Sequence, residues 1–273
     1  MPSRLADLGA QVAATHWYHT IDLPGGVTTP GYFDVRGVAA KVLPEDLSGM
    51  RCLDAATSSG FWAFEMERRG AESVVAIDID TYDAKDWQLP WMAPSAQETQ
   101  QRAFEIARDA LDSRVERRIC NLYDASPDQL GRFDFVFIGS VLLHLRDPVR
   151  ALRALRTVTQ GELRSFEPRL MVASLLHPRA CIGRLATVDD SRWWTPNAAA
   201  HRRWMVAAGL EIVAGRSPLF QPFGAGFFGR PPLREFRHPA KAAFWLVRRP
   251  IGVPSGWYAA RPAAIADVAL AGD

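Results

Sequence analysis

The sequence is short of the residues that usually announce a binding chemistry. It has only three cysteines, Cys52, Cys120 and Cys181, far apart and without a CxxC pair. That excludes a zinc site or a disulfide framework as a reading, and no metal is expected. The three read as small reduced core residues of a cytoplasmic protein. No run approaches the roughly 20 apolar residues that span a bilayer. The opening "MPSRLADLGAQVAATHW" has no signal-peptide core, so no membrane partner is expected. Neither sign of charge dominates: a formal net charge of +2 gives no reason by itself to invoke nucleic acid.

What is present is enough apolar sequence to fold. With 273 residues and 48% hydrophobic content, the chain suits one large domain with an insert. Strand-like runs alternate with helical ones. "RCLDAA", "SVVAID", "RVERRIC" and "RFDFVFIG" read as the first four strands, and 163–176 holds a fifth. "LEIVAG" and "GWYAAR" give a sixth and a seventh. Helices are expected over 60–70, 97–112 and 148–158, the last with Asp147 as N-cap and Pro148 at its first turn. Another opens at Thr195-Pro196 and closes at Gly209. This alternation predicts an α/β fold: a doubly wound, seven-stranded, mostly parallel sheet. Residues 1–45 precede it as a helical or lid segment, and 46–273 form the main domain. The Phe-, Pro-, Gly- and Arg-rich stretch 217–255 breaks the rhythm, as a binding loop or substrate lid does.

Glycine is scarce where nucleotide sites usually need it. In "RCLDAATSSGFWAFEMERRG" the loop after the first strand has Gly60 alone. There is no Gly-Lys-Ser/Thr ending for a phosphate loop and no GxGxxG for a diphosphate. The loop is nevertheless built of small residues, Ala55, Ala56, Thr57, Ser58 and Ser59, and lies at a strand's carboxyl end, where doubly wound sheets bind ligands. A nucleoside with a methionine tail fits better than a diphosphate. Its sulfonium and ammonium favour a carboxylate, and Asp54 is placed for it. Asp78 ends the second strand about 20 residues on, where an acid holds a ribose diol. Ile79 then walls the adenine, and Asp124 follows the third strand to meet its amino group. Each acid alone also suits a solvated strand end or a loop cap; three in series point to a site.

These stretches, with "THWYHTIDLPGGVTTPGYFD", "DW" at 86–87 and "GRFDFVFIGSVLLHLRDPVRALRALR", resemble class I S-adenosylmethionine-dependent methyltransferases. The likeness is to the branch that includes the tRNA wobble-uridine carboxymethyltransferase. It covers 16–160 well and 217–273 little. It implies a Rossmann-like fold, S-adenosyl-L-methionine as cofactor, the methionine end against Asp54 to Gly60, and a substrate-facing strand end at Gly139-Ser140. Nothing in the sequence matches recognition of a carboxylated cofactor, so the ordinary one is expected.

His144, in "SVLLHLRDP", follows the fourth strand and is the candidate general base; the alternative is a histidine that fixes its own loop. His16, Trp17 and His19 of "HWYH" read as substrate-side lid residues, or as aromatics packed on the core. Trp193 and Trp194 suit stacking on a planar acceptor, or burial. Seven basic residues with interleaved aromatics over 216–250 suit single-stranded RNA, an anionic or aromatic small molecule, or a solvated face. Three functions follow in order of preference: methyl transfer to a small molecule, aromatic or polyketide-like; tRNA modification; and a methyltransferase-like binding protein without turnover. An oligomer is compatible with all three.

Overall fold

The computed structural model describes residues 2–79, 86, 95–186, 192–227 and 251–264. Seven strands form one sheet: β1 (Arg51–Ala55), β2 (Ser73–Asp78), β3 (Glu116–Ile119), β4 (Phe133–Gly139), β5 (Thr159–Pro168), β6 (Leu210–Gln221) and β7 (Val253–Pro262). Their spatial order is 3-2-1-4-5-7-6. The neighbours from β3 to β5 pair in parallel, and β7 runs antiparallel to both β5 and β6. The order reverses between β1 and β4, which opens a crevice at their carboxyl ends.

Helices cover both faces, which is why the inner strands read as near-continuous apolar runs. On one face, α1 (Pro2–Ala13), α2 (Arg36–Val42), α3 (Phe61–Arg68) and α4 (Ser95–Leu111) enclose Cys52, Val74, Ala76, Phe135, Phe137 and Phe166. On the other, α5 (Pro148–Val158) and α6 (Ala198–Ala207) pack Leu152, Leu155 and Met205 on Leu53, Ile77 and Val136. Asp147 caps α5 through Arg150 N, with Pro148 in the first turn.

Several boundaries differ from the sequence reading. The fifth strand spans 159–168, and Met171–Leu176 is a short helix instead of its continuation. Trp194–Pro196 is a short strand paired with Gly183–Leu185; α6 begins only after Asn197, whose side chain caps Ala200 N at 2.9 Å. The sixth strand reaches Gln221, so 217–221 belongs to the sheet. Residues 228–250, with most of the basic and aromatic side chains singled out above, lie outside the described residues. Of the aromatics before them, Phe223 and Phe227 pack on Tyr32 and Phe33 of the N-terminal segment. Cys52 and Cys120 are buried, but Cys181 is exposed, so it is not a core residue; all three are free. Among the described residues no helix is long and apolar enough to cross a membrane, and no three His, Cys, Asp or Glu side chains group as metal ligands.

Candidate active site

The loop after β1 keeps the shape that glycine usually allows, without the glycines. Ala56 and Ser58 both sit at positive φ, 66° and 50°. Such backbone costs about 1–3 kcal/mol per non-glycine residue and persists only where its surroundings enforce it. Those surroundings are visible. Ala56 N and Thr57 N both donate to Ile77 O, and Ser58 N donates to Asp78 Oδ2 at 2.8 Å, so the loop is pinned to the tip of β2. Gly60 has φ 92° and starts α3; a Cβ there would stand 2.5 Å from the Phe64 ring and 2.7 Å from that of Phe104.

A cavity opens above this loop. Ala56 and Ser58 of the loop line one side of it, together with Asp78, Ile79, Gly139 and Ser140, which the sequence had singled out. Cys120, Asn121 and Leu122 join them from the segment after β3. Tyr18, His19, Trp62, Tyr123, Val141 and His144 line much of the rest, with Asp86, Gln100 and Leu145. Asp78 Oδ1 accepts from Ile79 N at 2.9 Å. Each of its oxygens thus holds one backbone N–H and keeps lone-pair capacity for a ligand.

Other expected residues lie elsewhere. Asp54 is 1% exposed and does not reach the cavity; its carboxylate accepts from Thr57 Oγ1 at 2.6 Å. Burial pushes its pKa up to about 7, against the opposing hydrogen bond from Thr57. Ala55 and Thr57 are buried beside it. Asp124 is exposed and faces outer grooves, not the cavity; Asn121 and Leu122 hold the wall where it was expected. The reason is local. A 3-10 turn begins at Asn121, whose side chain accepts from Tyr123 N, and carries Asp124 away from the strand tip.

In the N-terminal segment the four residues of "HWYH" divide. His16 is exposed. Trp17 is a core residue, 1% exposed, with Nε1 donating to Val12 O. Tyr18 and His19 face the cavity. Trp193 and Trp194 stand at the rim, outside the cavity lining. Trp193 Nε1 donates to Asp86 O, and Trp194 Nε1 to Arg146 O at 3.1 Å. Asp86 ties this rim together: its Oδ2 accepts from Tyr123 Oη at 2.5 Å and from Arg146 N at 2.6 Å.

Beyond Gly139, Ser140 adopts φ 55° and donates to Gln221 Oε1 at 3.0 Å. The 3-10 turn Leu142–His144 carries His144 to the cavity. Glu167, at the end of β5, anchors that turn from beneath by accepting from Val141 N at 3.3 Å and Leu142 N at 3.2 Å. It is 1% exposed, and burial pushes its pKa up to about 8. Sequence reasoning missed Asn121 and Glu167 as site residues, and named Ser59 only as part of the loop. Glu167 had a findable signal, an acid at the end of a strand in "RSFEP".

The charged side chains described in the cavity lining are acidic. Among the described residues its carboxylates are Asp78 and Asp86, and no lysine or arginine lines it. A diphosphate would meet no countercharge there.

Residues 53–162 match a family model described as a methyltransferase domain. Over 115 residues the chain is 30% identical to the magnesium-protoporphyrin O-methyltransferase of Rhodobacter capsulatus, covering 42% of this chain and 42% of that protein. Over 173 residues it is 28% identical to the tRNA U34 carboxymethyltransferase of Ectopseudomonas mendocina (strain ymp), covering 62% of this chain and 47% of that protein. The chain therefore spans less than half the length of the curated relatives it matches. Its fold is like that of the N-terminal domain of EvdMO1, crystallised with S-adenosylhomocysteine bound: TM-score 0.57 at 14% identity, covering 95% of this chain and 97% of that one. Strand order and domain match agree: residues 53–162 match a methyltransferase domain, and the sheet that carries them has a Rossmann-like fold.

Proposed function

We propose that this chain transfers a methyl group from S-adenosyl-L-methionine to a small-molecule acceptor with an aromatic or polyketide-like body. One observation carries the reading: the carboxylate of Asp78 stands at the tip of β2, locked to the loop after β1, in a cavity with apolar and aromatic walls and no described cation. The cofactor supplies an electrophilic methyl carbon on a positive sulfur. The residues of this chain hold the ribose through Asp78 and flank the adenine with Ile79 and Leu122. Tyr18, Trp62 and Tyr123 orient an acceptor and exclude water, and such alignment can supply on the order of 7–11 kcal/mol of a barrier. His144, at the acceptor end, takes the proton where the acceptor atom must lose one.

The name of the second relative supports tRNA as an alternative acceptor. The cavity favours it less: a carboxylated cofactor adds a negative charge, and no described lysine or arginine stands ready for it. The test is calorimetry with S-adenosylhomocysteine, followed by a screen of phenolic acceptors for its release from S-adenosyl-L-methionine. Binding with release supports the proposal. Binding without release across phenols and tRNA supports a silent binding module, and absence of binding overturns the cofactor assignment.

A further inference from the structure

The two halves of the site meet at one pair of side chains, Ser59 and His19. Ser59 lies in the glycine-poor loop and is fully buried. Both of its hydrogen bonds run to His19: His19 N donates to Ser59 Oγ at 3.1 Å, and the same oxygen lies 3.1 Å from ring Nδ1. A serine hydroxyl has one proton to donate and two lone pairs. The main-chain N–H takes one lone pair. Were Nδ1 protonated, it too would donate, and the Ser59 proton would be left in a dry interior without an acceptor, a costly arrangement. The opposite assignment satisfies every group: Ser59 O–H donates to Nδ1, and the ring proton resides on Nε2.

That leaves Nε2–H facing outward. Among the described residues no group accepts from it, and the ring lines the cavity beside Ala56 and Ser58. The edge-on ring of Tyr18, with centroids 4.8 Å apart, and Phe61, at 5.8 Å, flank the imidazole. Burial lowers the ring's pKa to about 3, so the imidazole is uncharged at physiological pH.

We propose that His19 is a cofactor-binding residue: a neutral imidazole, locked by Ser59 as its Nε2–H tautomer, that donates a hydrogen bond to the carboxylate of the cofactor's amino-acid tail. This rests on S-adenosyl-L-methionine as the cofactor and reassigns His19 from the acceptor to the cofactor. The position fits, because the loop that Ser59 belongs to is the one against which the methionine end lies. The chemistry fits as well. An uncharged donor selects a carboxylate by direction without repelling the sulfonium and ammonium close by, which a lysine or arginine would do. The serine at position 59 also acquires a reason: it latches the N-terminal segment onto the cofactor loop, which glycine has no side chain to do.

The test compares S-adenosylhomocysteine with 5′-methylthioadenosine, which keeps the adenosine and sulfur and lacks the amino-acid tail. His19→Phe is expected to weaken S-adenosylhomocysteine about 10-fold, in line with a hydrogen bond to a charged group, and to leave 5′-methylthioadenosine unchanged. Ser59→Ala shifts affinity in the same direction by less, and His19→Gln, which restores an N–H donor, recovers part of the loss. Equal losses for both ligands, or none for either, overturn the assignment. Nitrogen-15 spectra of the wild-type imidazole at pH 7 test the lock without any ligand: Nε2–H supports it, and Nδ1–H overturns it. Should wild type bind neither ligand while the spectra show Nε2–H, the cofactor reading fails and takes the carboxylate partner with it, while the latch stands.

Discussion

The tip of β1–β2 and the tip of β4–β5 solve one problem in two ways. Each must hold an irregular turn at the edge of the cavity, and each uses a buried carboxyl group beneath it and a non-glycine residue at positive φ within it. Under the first, Asp54 accepts from the Thr57 hydroxyl, and a second acid, Asp78, takes the loop's Ser58 N–H while still facing the cavity. Under the second, Glu167 takes the N–H groups of Val141 and Leu142 and stays out of the cavity lining, leaving Oε2 buried without a partner. The first tip adds to its buried anchor an acid that both holds the loop and faces the cavity; the second has an anchor only, and His144 above it lines the cavity. An acid at a strand end is therefore not by itself a binding residue. Its burial decides which job it does.

The largest effect should come from removing the second anchor. Glu167→Ala leaves backbone N–H groups unpaired in the interior and is expected to cost roughly 2–4 kcal/mol of stability, read by denaturant unfolding. Asp78→Ala should act mainly on binding, lowering S-adenosylhomocysteine affinity roughly 10- to 100-fold with a smaller loss of stability than Glu167→Ala, from the freed, partly buried Ser58 N–H. If Asp78→Ala unfolds the protein and Glu167→Ala only weakens binding, the division of labour is wrong.

A smaller effect sharpens the likeness between the anchors. Burial raises the folded-state pKa of Asp54 from 3.8 to about 7 and that of Glu167 from 4.5 to about 8. Between those limits the folded chain binds more protons than the unfolded chain, so stability is greatest at the acid end and declines as pH rises. Asp54→Asn should flatten the decline up to about pH 7, and Glu167→Gln the part that continues to about pH 8. A slope that survives in the double variant would remove both groups from the account.

The smallest effect concerns the strained turns. Ala56→Gly should stabilise by roughly 0.5–1 kcal/mol, since relief of the left-handed backbone outweighs the added freedom of the unfolded chain. Ser140→Gly should gain nothing, because it also deletes the bond to Gln221. Equal melting-temperature shifts in the two variants would show that Ser140's side chain does not hold its turn.

Much of the scaffold was readable before the structure. Alternating patterns marked the seven strands along the chain, and Asp147-Pro148 marked the start of α5. Boundaries failed where a tertiary partner intervened, as at Trp194–Pro196, which pairs with Gly183–Leu185 instead of opening a helix. In the site, Asp78, Ile79 and His144 were named from their places at or after strands, Gly139 and Ser140 from the family resemblance, and all five line the cavity. Asp54 and Asp124 were named by the same rule and do not, because one turns inward to Thr57 and the other is swung out by the Asn121 turn. Ser59 was noted only as a hydroxyl in a loop; its partner is 40 residues away.

The sequence alone determined the architecture and the strand tips at which the cavity opens, because hydrophobic period and strand–helix alternation are local and the crevice follows from them. Tertiary structure decided which tip residues line the cavity, how Ala56 and Ser58 are held left-handed, and which ring nitrogen of His19 bears its proton. Those outcomes depend on burial and on hydrogen bonds between segments 20 to 40 residues apart, and no local pattern of side chains encodes them.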